Sequence, residues 1–361
     1  MKKHLYLLLC ASLAVAGCHG LVRGRQTAIS TAEHQQLLTK VYSPEAAGVQ
    51  VRVHEASHSI RWREMARPEH AVSVPLLPPD SPGSAQPIIE MRINGGSPVR
   101  MVVDTGAPVT LVDTTTALKN KLMVIDPERM QNVYLGLAGD EQTFYGMARS
   151  VTVGPELAFR NVLMAIRLQK YTQTIGGIIP VAQWDGNSLG MSTLGNFAYL
   201  TLDYTNRLAT FSYRDFFVAP TDSNAHSVPF LLESKQMRVP VRFGGQTTLQ
   251  AILDTGNDAP LMISSNLAKE LGWQTLVDQG TPARYVGLGG ELELRSFNVP
   301  LVQVAGLSFT NVPAVCGPEQ FGLMIGSHLL HHFRVTFDFR RKLLWLEPPA
   351  LVQASMETAN K

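Results

Sequence analysis

Met101-Val102-Val103-Asp104-Thr105-Gly106-Ala107 decides the reading, because the chain writes it twice. Ala251-Ile252-Leu253-Asp254-Thr255-Gly256-Asn257 repeats the pattern, with its aspartate 150 residues further on. In each copy an apolar, strand-like run ends in an acid and turns at a glycine, so a carboxylate is carried out of a core strand onto a tight turn. Burying one such acid alone is costly. Two of them at contact distance cannot both ionise, and they share a proton near neutral or acidic pH. A chain that supplies both holds the parts of an acid–base pair.

Working outward, the flanks of the two acids repeat as well. Ser73-Val74-Pro75-Leu76-Leu77 is matched by Ser227-Val228-Pro229-Phe230-Leu231, and residues 87–96 by residues 237–245. The second pair alternates apolar and polar residues and then turns on glycine, which predicts a hairpin feeding each acid-bearing turn. After each acid come a second apolar strand and a short helix. The clearer helix lies in residues 264–272, with a capping Ser or Asn, leucines four apart and a terminal glycine. Gly136-Leu137-Ala138-Gly139-Asp140 and Gly287-Leu288-Gly289-Gly290 read as hairpin tips. Each half then closes on an apolar pair, a glycine, a short helix and a strand. The later copy runs from Leu323-Met324-Ile325-Gly326 to Asp338. The looser earlier one runs from Ser188-Leu189-Gly190 to Asp203, with Gly176-Gly177-Ile178-Ile179-Pro180 a rival for the same place. Repeated strands with one small helix per half predict a mostly β chain of two similar β-barrel-like lobes.

At 361 residues and 45% apolar content the chain is long enough for two domains. The expected boundaries are 71–217 and 218–349, with a tether or N-terminal extension over 19–70 and a tail over 350–361. Charged residues make up only 17%, against 29 Gly and 22 Pro, which suits strands and turns better than helices. Formal charge is +2 and falls to zero if Lys2 and Lys3 leave with a cleaved leader, so nothing electrostatic argues for a nucleic-acid partner.

Residues 1–18 read as that leader. Lys2, Lys3 and His4 precede an apolar run over 5–16 that is too short for a spanning anchor. Its end, Val15-Ala16-Gly17-Cys18, resembles a bacterial lipobox, which implies acylation at Cys18 and membrane attachment through lipid. By the same resemblance His19, standing where inner-membrane lipoproteins carry Asp, implies the outer membrane facing the periplasm in a Gram-negative host. Cys10 leaves with the leader, so Cys316 remains alone, without a disulfide partner, as a buried small hydrophobe.

Taken together, these residues resemble the aspartic protease superfamily and, within it, bacterial retropepsin-like proteins, here as two fused copies. The paired Asp-Thr-Gly turns, the glycine tips and the apolar-apolar-Gly segments at Gly190 and Gly326 come in one order in both halves, across residues 71–347. The resemblance implies that Asp104 and Asp254 form a catalytic pair in a cleft between two acid-protease-type lobes. It implies that Thr105 and Thr255 tie the turns together, and that Gly106 and Gly256 allow close approach. It makes Gly136, Gly139, Gly287, Gly289 and Gly290 flap tips. The implied activity is hydrolysis of peptide or protein substrates by a water held between the carboxyls, with no metal, cofactor or covalent intermediate, in a monomer whose lobes pair within one chain. Asn257 and Asp258 depart from the usual pattern; Asp258, if near Asp254, adds a third negative charge.

Two rival readings accompany it. One is a lipoprotein that keeps the fold but only binds peptides or partner proteins. The other is a zinc protease built on His54-Glu55-Ala56-Ser57-His58, which fits H-E-x-x-H. That motif needs both histidines on one helical face, whereas Val49, Val51 and Val53 alternate at strand spacing.

Overall fold

Alternation builds the hairpins that carry both acids. In strand Ile88–Ile93, Ile89, Met91 and Ile93 are buried while Glu90 and Arg92 face solvent. In Gln236–Phe243, Met237, Val239, Val241 and Phe243 are buried in the same way. Each strand turns and pairs antiparallel with the strand leading to an aspartate, Ile88–Ile93 with Pro98–Val103 and Gln236–Phe243 with Thr247–Asp254. Asn94 (φ 50°) and Gly95 (φ 71°) form the first turn in the left-handed region, where a bulkier pair would be strained. The computed structural model describes residues 22–43, 50–54, 57–61, 69–81, 83–128, 131–136, 138–175, 179–184, 186–219, 224–244 and 247–349. The leader with Cys18, the tail 350–361 and the rival Gly176-Gly177-Ile178 lie outside the described residues.

Past the acids the two halves run in step. Short strands Leu111–Val112 and Leu261–Ser264 lead into helices Thr114–Lys119 and Ser265–Glu270. Asp113 caps the first through Thr116 N (2.7 Å) and Ser264 the second through Leu267 N (3.3 Å). Ser188–Leu189 returns parallel to Val102–Val103, and Leu323–Gly326 returns parallel to Ile252–Asp254. A side chain at Gly190 would overlap the Val109 carbonyl, and one at Gly326 the Ala259 carbonyl. Gly190 therefore holds the place of Gly326 in the first half, which settles the rivalry left by the sequence.

The chain is mostly β, with two similar lobes, but the lobes are curled sheets and not separate barrels. Their closing strands leave for a common sheet of six strands. At its centre Tyr199–Asp203 pairs antiparallel with Arg334–Asp338, and Thr201 and Thr336 meet through their hydroxyls at 2.8 Å. The repeated Ser-Val-Pro stretches lie at its edges, in Val72–Pro75 and His226–Pro229. One apolar core, including Val103 and Leu253, runs through both lobes. Each fully buried side chain of this size contributes about 2 kcal/mol.

The described part of the N-terminal extension adds strands and a helix to the first lobe. Strand Val22–Ala28 pairs antiparallel with Gln169–Ile175, and helix Thr31–Leu38, closed by a Ser30/Glu33 capping box, buries Leu37. Val41–Tyr42 adds parallel to Met123–Ile125. The H-E-x-x-H stretch lies on a hairpin, in which Gln50–His54 pairs with Ser57–Arg61 and Val53 sits opposite His58. Its histidines therefore do not share a helical face, while Glu55 and Ala56 lie outside the described residues. No helix among the described residues is long and apolar enough to cross a membrane.

Candidate active site

The two Asp-Thr-Gly turns meet at the lobe boundary. Thr105 and Thr255 are fully buried there and exchange bonds, each backbone N–H donating to the other's hydroxyl at 3.0 and 3.1 Å. Each hydroxyl then donates to the strand before the opposite acid, Thr105 to the Leu253 carbonyl (2.8 Å) and Thr255 to that of Val103. Four bonds with no water competing fix the two turns as one unit.

That frame turns the carboxyls toward each other. Asp104 Oδ1 accepts from the N–H of Gly106 (3.0 Å) and Ala107 (2.9 Å), and Asp254 Oδ1 from Gly256 (2.9 Å) and Asn257 (3.1 Å). A Cβ on Gly106 would overlap the Asp254 carboxyl, and one on Gly256 would stand 2.5 Å from Asp104 Cγ. Glycine is required at both places because the opposite acid occupies the space. Burial raises both acids above the ordinary aspartate value, and the neighbouring Asp104 charge lifts Asp254 well above it. Each carboxyl thus stands against the glycine of the opposite turn, an arrangement in which two acids do not both ionise and titrate as a pair.

The family comparison agrees with this geometry. A model of the aspartyl protease family matches residues 89–192 and 239–329, one match around each acid. This chain belongs to the aspartyl protease family. A solved retropepsin-like aspartic protease from Rickettsia conorii is also similar, at 18% identity, covering 37% of this chain and 97% of that one with a TM-score of 0.29. No curated protein matches.

The glycine tips expected to be the protease flaps do meet. Gly136 pairs with Gly139 at the end of hairpin Gln131–Gly136/Gly139–Val153, and Gly287 with Gly290 at the end of Thr281–Gly287/Gly290–Val304. Ala138 N donates to the Leu288 carbonyl at 3.0 Å. Side chains at Gly136 or Gly289 would overlap the facing backbone. Leu288, from the second half, packs on the apolar cluster of Val109, Leu111 and Tyr145 in the first. A matching cluster of Ile252, Met262 and Met324 lies in the second half, against Tyr285 and Leu292 of its flap.

Asp258 does not act as a third charge on the pair. Its carboxylate accepts from Ala85 N (2.8 Å) and lies 3.0 Å from His328 Nδ1, and the shift of Asp254 comes first from burial and then from Asp104. Asn257 matches Ala107 through its backbone: its carbonyl accepts Ser327 N at 2.7 Å, as that of Ala107 accepts Met191 N at 2.8 Å. Burial and the Glu319 charge raise the thiol of half-buried Cys316, which makes it a poor nucleophile. His331 and His332 pack with ring centroids 4.0 Å apart and tilted by 39° beside the closing helix, and burial lowers both, which favours neutral rings.

Sequence reasoning did not single out the residues that hold the flaps. Glu141, on the first flap, is fully buried in an ion pair with Arg167 (3.2 Å) and accepts from Gln26 Nε2 (3.2 Å). Glu291, on the second, accepts from Gly24 N (3.0 Å) and the Tyr171 hydroxyl (2.7 Å) and pairs with Arg284 (2.9 Å). The strand Val22–Ala28 thus fastens both glycine-tipped hairpins. Glu291→Ala is expected to speed amide exchange over residues 22–28 and 281–304 about tenfold, the loss of roughly 1.5 kcal/mol of charge-assisted bonding. Hydrogen-exchange mass spectrometry reads it, and unchanged exchange contradicts the fastening.

Proposed function

We propose that this chain is an aspartic endopeptidase that hydrolyses peptide bonds in extended peptide or protein segments, with Asp104 and Asp254 as its catalytic dyad. The observation that carries the reading is the carboxyl pair itself, one acid from each half, locked at contact and raised toward sharing a proton. The ionised carboxylate takes a proton from water as its oxygen attacks the scissile carbonyl carbon. The protonated carboxyl gives its proton to the carbonyl oxygen. In the tetrahedral diol that results, the C–N bond breaks as the first acid protonates the leaving nitrogen. The second acid then recovers its proton from a diol hydroxyl, and both groups are as they began.

In this reading the two glycine-tipped hairpins supply backbone to which an extended peptide adds as a strand. The apolar clusters on either side suit apolar side chains flanking the cleaved bond. Entry of substrate requires the touching tips to part. The two lobes complete the site within one chain, so a monomer suffices. The sequence of the leader supports placement in the cell envelope, with lipid on Cys18 holding the enzyme at the membrane and, in a Gram-negative host, the outer one facing the periplasm.

A peptide library incubated with the protein in detergent, from acidic to neutral pH and read by mass spectrometry, tests the activity. Cleavage blocked by a statine-type mimic of the diol, and indifferent to chelators and to serine or thiol reagents, is expected. No cleavage at any pH, or loss on chelation, contradicts the reading.

A further inference from the structure

Strand Val22–Ala28 is the edge of a three-stranded sheet, hydrogen-bonded on one side to Gln169–Ile175. Its sequence, Val-Arg-Gly-Arg-Gln-Thr-Ala, has no apolar alternation, and none of residues 24–28 is buried. Its hold is therefore polar. Gly24 and Gln26 share one face of the strand, and that face meets the hairpin tips of both halves. Gly24 N–H donates to Glu291 Oε2 (3.0 Å), next to Gly290 in the second half, and Gln26 Nε2 donates to Glu141 Oε2 (3.2 Å), close to Gly139 in the first. A Cβ on Gly290 would stand 3.2 Å from Gln26 Oε1. The strand thus crosses both hairpins where Ala138 N donates to the Leu288 carbonyl. Leu288 in turn packs on Val109 and Leu111, which follow the first acid turn. The helix beyond the strand is held by other means. Leu37 is buried in the core, Glu33 pairs with Lys170 (2.5 Å), and Ile29 N bonds the Leu168 carbonyl (2.9 Å). The strand is free to peel away up to Ile29 while the helix stays.

We propose that Val22–Ala28 is an autoinhibitory strap, which holds the two hairpin tips together and keeps peptide out until it lets go. Its consequence for cleavage rests on the proposed peptide hydrolysis, in which substrate enters as the tips part. The tips come from opposite halves, whereas Gly24 and Gln26 stand only about 7 Å apart along one strand. One strand cannot follow both tips as they separate, so opening breaks its bond to Glu291, to Glu141 or to both. Each of these bonds ends on a carboxylate, the stronger class, and adds to the main-chain bond between the tips. Letting go strands no buried charge. Glu291 keeps the Tyr171 hydroxyl (2.7 Å) and Arg284 (2.9 Å), and Glu141 keeps Arg167 (3.2 Å). An edge strand with exposed side chains and no apolar burial to lose is the kind of element that opens locally at low cost. The strap is thus built to close the site and to be released from it.

Gly24→Val in the full chain tests it. A Cβ at Gly24 would overlap the Tyr171 hydroxyl and the Glu291 carboxylate, so the variant pushes the strand off the second hairpin, while valine itself suits a strand. Cleavage of one peptide and binding of a statine-type diol mimic give the first readout. Both kcat/KM and the association rate of the mimic are expected to rise about tenfold, the scale of losing a charge-assisted bond. A strand that merely supported the site would lower them. Hydrogen-exchange mass spectrometry of the free protein gives a second readout that needs no activity. Exchange over residues 139–144 and 281–292 is expected to speed about tenfold, while helix Thr31–Leu38 keeps its rate. Gln26→Ala, which removes the bond to Glu141, is expected to move both readouts the same way. Unchanged exchange in the two hairpins, or a fall in kcat/KM in a folded variant, overturns the strap; should Gly24→Val not fold, the same results in Gln26→Ala do so. Faster exchange in a variant that cleaves nothing, beside a wild type that cleaves nothing, leaves the strap standing and removes the hydrolysis reading instead.

Discussion

Asp104→Asn and Asp254→Asn are each expected to lower kcat for peptide cleavage by at least about 10³-fold, the scale of losing a positioned acid or base. Asn is nearly isosteric, so the Thr105/Thr255 frame and the N–H bonds to the side-chain oxygen survive, and the fold stands. What is lost is the exchange of a proton between the two sites, and neither half restores it alone. Stability supplies a second readout with a definite sign. Both acids sit above their ordinary value of 3.8, so the folded state binds protons more tightly than the unfolded one. Stability therefore falls as pH rises from about 4 through the folded values, where the unfolded chain has already released protons that the folded pair retains. Asp254→Asn removes this penalty. Its thermal midpoint is expected to exceed that of the wild type at neutral pH, with the gap closing at acid pH, below the unfolded value. A gap that widens toward acid pH contradicts the raised pair.

Arg167→Met is expected to cost about 3–5 kcal/mol, because it removes the buried cation that Glu141 pairs with and leaves that side chain, among the described residues, to the neutral amide of Gln26. Both side chains are almost wholly shielded from water, unlike the surface pairs such as Arg92 with Glu90, whose loss costs little. The double variant Arg167→Met/Glu141→Leu removes the orphaned charge as well and is expected to regain most of the loss. Urea unfolding at neutral pH measures all three proteins. A single-variant cost under about 1 kcal/mol shows that water or a shift of the flap solvates Glu141.

Much of the fold and of the site is legible in the amino-acid sequence, and the limits have physical causes. The acid turns, their hairpins and the capped helices are local: alternation in Ile88–Ile93, Ser264 before its helix and glycine at the turns encode them within a few residues. The equivalence of Gly190 and Gly326 is half visible there, and parallel register completes it. The shared six-stranded sheet is not readable, because strand partners far apart in sequence leave no period. Strand Val22–Ala28 also escapes, since Val-Arg-Gly-Arg-Gln-Thr-Ala lacks apolar alternation and forms by pairing with Gln169–Ile175. Nothing local marks Glu141 and Arg167 as buried, because each finds its partner across the sheet, in Gly139–Val153 and Leu157–Arg167.

The most direct test follows the two carboxyls themselves. Aspartate labelled with ¹³C at Cγ, with Asp104 and Asp254 assigned from the Asn variants, gives the protonation of each acid against pH by NMR in the intact protein. A shared proton predicts two coupled titrations that retain one proton between them above the ordinary aspartate value of 3.8. Two independent titrations near the ordinary aspartate value would contradict it.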